Sequence, residues 1–187
     1  MSDPYALPNG VLRNNLGITD PTLLDQAEAD ITRARLIALA ADPPAGAYDL
    51  AHLCRLHRTI FGDIYPWAGE LRTVDIAKHT PFCPVIHLRS YADEVFDRLR
   101  SADHLRGLSR ADFVPRLAEL YGDINALHPF REGNGRAQRA FLGQLCAAAG
   151  HPVSWAAMDP ARNQEASIKS FLGDAGPLEA MLSELVS

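Results

Sequence analysis

Apolar residues recur along this chain at intervals of three and four, and most runs open on a polar capping residue. Asp20-Pro21 is followed by Leu23, Ala27, Ile31 and Ala34, and the run stops before Pro43-Pro44. An acidic N-cap, a proline at the first helical position and an apolar stripe predict a helix there. Asp49 precedes Leu50, Leu53, Leu56 and Ile60, one face of a second helix ending near Gly62. Between residues 71 and 88 the character changes. Val74, Ile76, Val85 and Ile86 are β-branched, with a Thr80-Pro81 turn between the two runs, which predicts a short β-hairpin. Helices are expected again over residues 90–101 and 112–127, the latter with Phe113, Leu117, Leu120, Ile124 and Leu127 on one stripe. Pro115 suits only a first turn. A further helix should run over 136–149 and close at Gly150, and another should start at Asp159-Pro160 and end before Gly173. No repeat, low-complexity tract or long linker interrupts this order. The expectation is a single all-α domain over residues 1–187, a helical bundle with a short hairpin at 71–88.

Composition narrows the class. A chain of 187 residues buries one core without staples, and 47% hydrophobic with 22% charged residues is ordinary for a soluble globular protein. The formal charge of -5 and pI near 5.8 oppose a surface built to neutralise many phosphates, so no nucleic-acid partner is expected. Cys54, Cys83 and Cys146 are odd in number and lack CxxC spacing, which fits reduced thiols filling the core. His52, Cys54 and His57 lie close in sequence, but positions 52 and 54 face different sides of a helix, which argues against a metal site. Trp67 and Trp155 read as core. No segment approaches the roughly 20 apolar residues of a membrane helix, and the N-terminus carries no signal-like run. A cytoplasmic protein is expected, although a folded effector passed to an export machine has the same composition.

The chemistry is concentrated in His128-Pro129-Phe130-Arg131-Glu132-Gly133-Asn134-Gly135-Arg136-Ala137-Gln138-Arg139. Glycines let successive backbone N–H groups converge into an anion-binding nest, here at the start of a helix whose free N–H donors and dipole favour phosphate. Arg136 and Arg139 are three apart, close enough on a helix to reach one side and grip phosphate oxygens. Glu132 beside a polyphosphate requires a hard cation, which predicts Mg²⁺ bound through one carboxylate and phosphate oxygens. His128, at the end of the preceding helix, is placed to take a proton from an attacking hydroxyl, and a helix C-terminus would favour the resulting imidazolium. A lone GNG is ordinarily a turn, a lone histidine ordinarily structural, and an arginine pair ordinarily solvated. Their joint occurrence within one loop is what points to a site.

That segment resembles the Fic motif, HxFx(D/E)GNGRxxR, at every specified position. The resemblance extends to Tyr65-Pro66-Trp67-Ala68-Gly69-Glu70, to Leu71-Arg72 and to the early Leu12-Arg13-Asn14-Asn15 stretch, so it covers most of the chain and is weakest at the C-terminus. It implies a protein adenylyltransferase in which a Ser, Thr or Tyr hydroxyl of a target protein attacks the α-phosphate of ATP, AMP is transferred and pyrophosphate leaves. It implies His128 as base, Glu132 on Mg²⁺, Gly133, Asn134, Gly135 and Arg136 around the phosphates, and Arg139 on the terminal phosphate. The hairpin would be the family's flap, with Thr73, Val74, Asp75 and Ile76 registering the target by main-chain pairing. Many Fic proteins carry an inhibitory [S/T]xxxE[G/N] helix. Here only Ser90 has a glutamate four residues on, Glu94, and Val95 follows it, so the stretch reads as an ordinary helix start. The resemblance then implies inhibition by a separate small antitoxin whose glutamate meets Arg139, and a type II topoisomerase subunit (gyrase or topoisomerase IV) as target. Three rivals stand beside this reading. A Doc-like kinase carries lysine where this chain has Gly135. Transfer of UMP or phosphocholine needs only a different base pocket, which the sequence does not locate. A non-catalytic nucleotide- or protein-binding module has no need of the intact His128 and Glu132.

Overall fold

The computed structural model describes residues 3–78 and 81–187. Seven α-helices follow one another among them: α1 (Pro21–Ala41), α2 (Leu50–Phe61), α3 (Leu88–Ser101), α4 (Arg110–Leu127), α5 (Asn134–Ala148), α6 (Pro160–Phe171) and α7 (Gly176–Leu185). The caps read from the sequence form as expected. Asp20, Asp49 and Asp159 accept from the backbone N–H of Leu23, His52 and Arg162 at 2.9, 2.7 and 2.9 Å. α4 starts earlier than its stripe suggested, capped by Ser109, which moves Pro115 beyond the first turn. α7 was not anticipated, although Leu178, Met181, Leu182 and Leu185 bury one helical face. α4 lies at the centre, packed against α3, α5, α6 and α7, while α2 packs on α1 and α5. No helix among the described residues is long and apolar enough to cross a membrane.

The expected hairpin over 71–88 is not formed. One isolated antiparallel bridge, Ala77 with Pro81, is all the pairing found there among the described residues. Thr80 of the expected turn lies outside the described residues. Val85–His87 forms a 3₁₀ turn that runs directly into α3. The reason is donor and acceptor supply. Pro81 and Pro84 bring no N–H, and the carbonyls of Val74 and Cys83, which a ladder would need, accept from the Arg72 guanidinium instead. The described residues from 71 to 84 run irregularly and are pinned onto the end of α4.

The buried face of α1 is also rotated from the expected one. Leu23 is 56% exposed, while Leu24, Thr32 and Leu39 are buried. Glu28 and Thr32 turn inward because they meet Arg136, at 2.5 and 3.1 Å.

Candidate active site

The site is assembled at the junction of α4 and α5. His128 ends α4 in the left-handed conformation, φ 43° and ψ 61°, which turns the chain sharply into residues 129–133. Gly133 then opens α5 with φ 80°, and a Cβ there would lie 2.3 Å from the Phe61 ring, so both conformation and contact demand glycine. Asn134 closes the loop on itself. Its amide oxygen accepts from Phe130 N–H at 2.9 Å and its amide nitrogen donates to Phe130 C=O at 2.8 Å. No side chain caps α5, so the backbone N–H groups at its start face the loop uncommitted to a capping residue.

His57 supports the same loop from α2. Gly69 N–H donates to its Nδ1 at 2.9 Å, so the proton is on Nε2, which donates to the Glu132 carbonyl at 2.9 Å. The ring is stacked on Phe130 and Phe61, and burial pushes its pKa down to about 4, holding it neutral. Sequence reading had set His57 aside as an unlikely ligand and missed this buttress. Its signal is weak: a histidine at an inward position of an apolar helix face.

A cavity of about 390 Å³ brings His128, Glu132, Asn134, Gly135 and Arg139 together. His128 Nδ1 lies 3.2 Å from the Asn125 carbonyl, which can only accept, so the neutral ring carries its proton on Nδ1 and its lone pair on Nε2. Its ring is stacked on Phe82, with centroids 3.7 Å apart and planes at 10°. Burial, with Lys78 and Arg72 nearby, lowers its pKa to about 4, against the helix-end effect expected from sequence. The Glu132 side chain is 46% exposed and accepts from Gly133 N–H at 2.8 Å. Ile76 lines the cavity wall, whereas the main chain around it is already engaged. Thr73 N–H donates to Tyr5 Oη at 2.9 Å, Val74 C=O accepts from Arg72, Asp75 Oδ1 caps Val85 N–H at 2.8 Å, and Ile76 C=O accepts from Phe82 N–H at 3.2 Å.

Arg136 and Arg139 diverge, contrary to the expected common grip. Arg139 lines the cavity, whereas Arg136 turns to α1, bonded to Glu28 and Thr32 and lying 4.7 Å from the Phe61 ring centre. Three residues on a helix leave a 60° offset, enough for one guanidinium to be captured by a carboxylate on a neighbouring helix. Arg139 also borders a second groove of about 730 Å³ between α1, the loop at 43–48 and α5. The far wall of the first cavity comes from α6, through Asn163, Gln164, Ser167, Ile168 and Phe171. Tyr121 Oη donates to Asn163 Oδ1 at 2.6 Å, which leaves the Asn163 amide nitrogen as a donor. Sequence reading found no such wall, since nothing local to residues 160–171 marks it.

An all-α scaffold with an uncapped, glycine-opened helix N-terminus, one carboxylate and a neutral imidazole in one cavity has the donors and charge that suit a phosphate group. Residues 47–146 match the Fic/DOC family, and the chain belongs to that family. It is 38% identical over 183 residues to protein adenylyltransferase VbhT of Bartonella schoenbuchensis, covering 97% of this chain and 38% of that protein. It is 37% identical over 187 residues to the probable protein adenylyltransferase Fic of Escherichia coli, covering 99% of this chain and 92% of that protein. The chain thus spans well under half of the first relative and most of the second. The fold superposes on BepC, a VirB-translocated effector of Bartonella tribocorum solved with bound AMPPNP, at a TM-score of 0.90 and 25% identity, covering 98% of this chain and 96% of that one.

Proposed function

We propose that this chain is a protein adenylyltransferase that moves AMP from ATP to a Ser, Thr or Tyr hydroxyl of a target protein. The observation that carries the reading is the shared cavity, in which a neutral His128 with its lone pair on Nε2 sits beside the uncapped start of α5, Glu132 and Arg139. His128 Nε2 takes the proton of the attacking hydroxyl. The N–H groups of Asn134, Gly135 and Arg136 cradle phosphate oxygens, Gly133 N–H being held by the Glu132 carboxylate, and Arg139 meets the departing pyrophosphate. The Arg136 guanidinium, held by Glu28, braces the helix that presents them. Asn163 offers a donor, and Ile168 and Phe171 an apolar surface, to the base of the nucleotide.

Glu132 fits Mg²⁺. Its carboxylate is half-exposed into the cavity, and no cluster of three or more His, Cys, Asp or Glu side chains suited to a metal occurs among the described residues. Such a donor set suits a cation held through one carboxylate and phosphate oxygens. When bound, Mg²⁺ neutralises charge on those oxygens.

The finer reading makes the chain a cytoplasmic toxin of a toxin-antitoxin pair acting on a type II topoisomerase subunit. It rests on the resemblance to small Fic proteins. One structural feature supports the antitoxin. Arg139 borders both the candidate active cavity and the apolar groove along α5, so a helix lying in that groove can set a glutamate against it.

Incubation of the chain with Mg²⁺, bacterial lysate and either α-³²P-ATP or γ-³²P-ATP, beside His128→Ala, tests the activity. Label from the α-position alone, absent with His128→Ala, is the expected result. Label from the γ-position would make the chain a kinase and sink the reading, as would α-label that survives loss of His128.

A further inference from the structure

Arg72 is among the largest fully buried side chains of the molecule, 2% exposed, yet no carboxylate is buried with it. The nearest acid, Asp75, is 3.9 Å away and its side chain is 77% exposed. Burying a cation is expensive unless polar groups enclose it. Here the enclosing groups are backbone carbonyls. Arg72 Nε donates to His128 C=O at 2.9 Å, and its terminal nitrogens donate to Val74 C=O at 2.9 Å, to Leu127 C=O at 3.4 Å and to Cys83 C=O. Leu127 and His128 stand at the C-terminal, partly negative end of α4, where a cation is favoured.

Each carbonyl left open at the end of α4 finds a donor, and Arg72 supplies the one for Leu127. Ile124 C=O accepts from His128 N–H at 3.1 Å, Asn125 C=O from His128 Nδ1 at 3.2 Å, Ala126 C=O from Cys83 N–H at 3.0 Å, and Leu127 C=O from Arg72. Arg72 N–H itself donates to Pro129 C=O at 2.9 Å. Arg72 therefore ties together three pieces: the left-handed turn that aims His128, and both arms of the loop that carries Phe82. Phe82 is the residue stacked on the imidazole. A lysine has one small ammonium and cannot reproduce the fork that reaches carbonyls on several segments.

We propose that Arg72 is a positioning residue for the transfer reaction, holding the His128 backbone and the Phe82 loop in register so that the imidazole stays stacked and Nε2 stays aimed into the cavity. This rests on the reading of His128 as the base. Arg72 does not line the phosphate cavity, so its loss should reach turnover and not nucleotide binding.

The test compares wild type with Arg72→Met and Arg72→Lys. The initial rate of α-label transfer into lysate protein at saturating ATP, the affinity for AMPPNP, and the NMR shifts of the His128 ring protons are measured on each. A shift of about an ångström in the base costs on the order of 10²-fold in rate. Both variants are expected to lose about that factor in rate and to keep AMPPNP affinity within about twofold. Their His128 ring protons should lose the upfield shift that the Phe82 face imposes. Arg72→Lys keeps the buried charge and serves if Arg72→Met does not fold. Full activity in either variant, unchanged ring shifts, an equal loss of AMPPNP binding, or failure of both variants to fold overturns the proposal. If wild type transfers no α-label, the functional reading fails by itself, and the ring shifts and AMPPNP affinities still decide the role of Arg72.

Discussion

At His128 two effects oppose each other. The end of α4 favours the imidazolium, while burial and the neighbouring cations Lys78 and Arg72 favour the neutral ring. Burial wins, because the dipole acts over one turn and the ring is nearly removed from water. If His128 is the base it must be neutral to act, so kcat/KM should fall only as pH drops through the pKa of the free protein, about 4, and kcat through the higher pKa of the nucleotide complex. The expected imidazole titration of His128 therefore has its midpoint near 4 in the absence of nucleotide, and moves upward with AMPPNP, whose phosphates add negative charge to the cavity. NMR titration reads both, and a midpoint near the ordinary 6.5 in the free protein would refute the burial argument. The sequence supplied the identity of this residue but not the outcome, since desolvation depends on Phe82 arriving from a loop that no periodicity describes. Gly133 was legible for the opposite reason: a positive φ is a local demand, and only glycine meets it cheaply.

At the scale of elements, α1 is held to α5 by a polar contact. Arg136 bonds Glu28 at 2.5 Å and Thr32 at 3.1 Å, and Tyr65 Oη also donates to Glu28. The Arg136 and Glu28 side chains are 25% and 14% exposed, so the pair is screened far less than a surface pair. Glu28→Ala should destabilise the fold by about 2–4 kcal/mol, because it strands a partly buried guanidinium. Arg136→Met on top of Glu28→Ala should cost less than the two single changes summed, read as a coupling energy in urea unfolding. Additive costs would mean that the contact contributes nothing. This tie also explains why a helix found by its caps was assigned the wrong face. Counting apolar residues places Glu28 and Thr32 toward solvent, and only a partner more than 100 residues away, at position 136, reverses that. The 71–88 segment failed for a related reason: β-branched residues suggested strands, but Arg72 took the carbonyls a ladder would use. Helices α2, α5 and α6 needed no distant partner to be read, since caps and apolar stripes are local.

Across the whole molecule the net charge of -5 hides a cationic cluster, with Lys78, Arg131 and Arg139 lining one cavity beside the buried Arg72. Composition opposes an extended surface for binding polyanions but says nothing about a site the size of one triphosphate. The same enclosure gives the fold a pH signature. His57 and His128 both titrate near 4 when folded, against 6.5 when unfolded. Between those values the unfolded chain binds up to two protons that the native chain refuses, so stability must rise with pH across that window and fall as pH drops through it. Above about pH 7 neither state is protonated at these rings and their contribution to the slope vanishes. Urea unfolding is therefore expected to show stability nearly flat from pH 8 to 7 and then declining toward pH 4.5, by several kcal/mol in total. Carboxylates with lowered pKa, such as Asp3 beside Arg131, lose their contribution mainly below that range, as pH falls past 3.8, and the variant His57→Gln isolates the share of one imidazole within it. It should flatten the slope between pH 6.5 and 4.5 by about one proton while leaving the neutral plateau of the curve flat. An unchanged slope would mean that His57 is protonated in the native state, which its hydrogen bond from Gly69 to Nδ1 forbids.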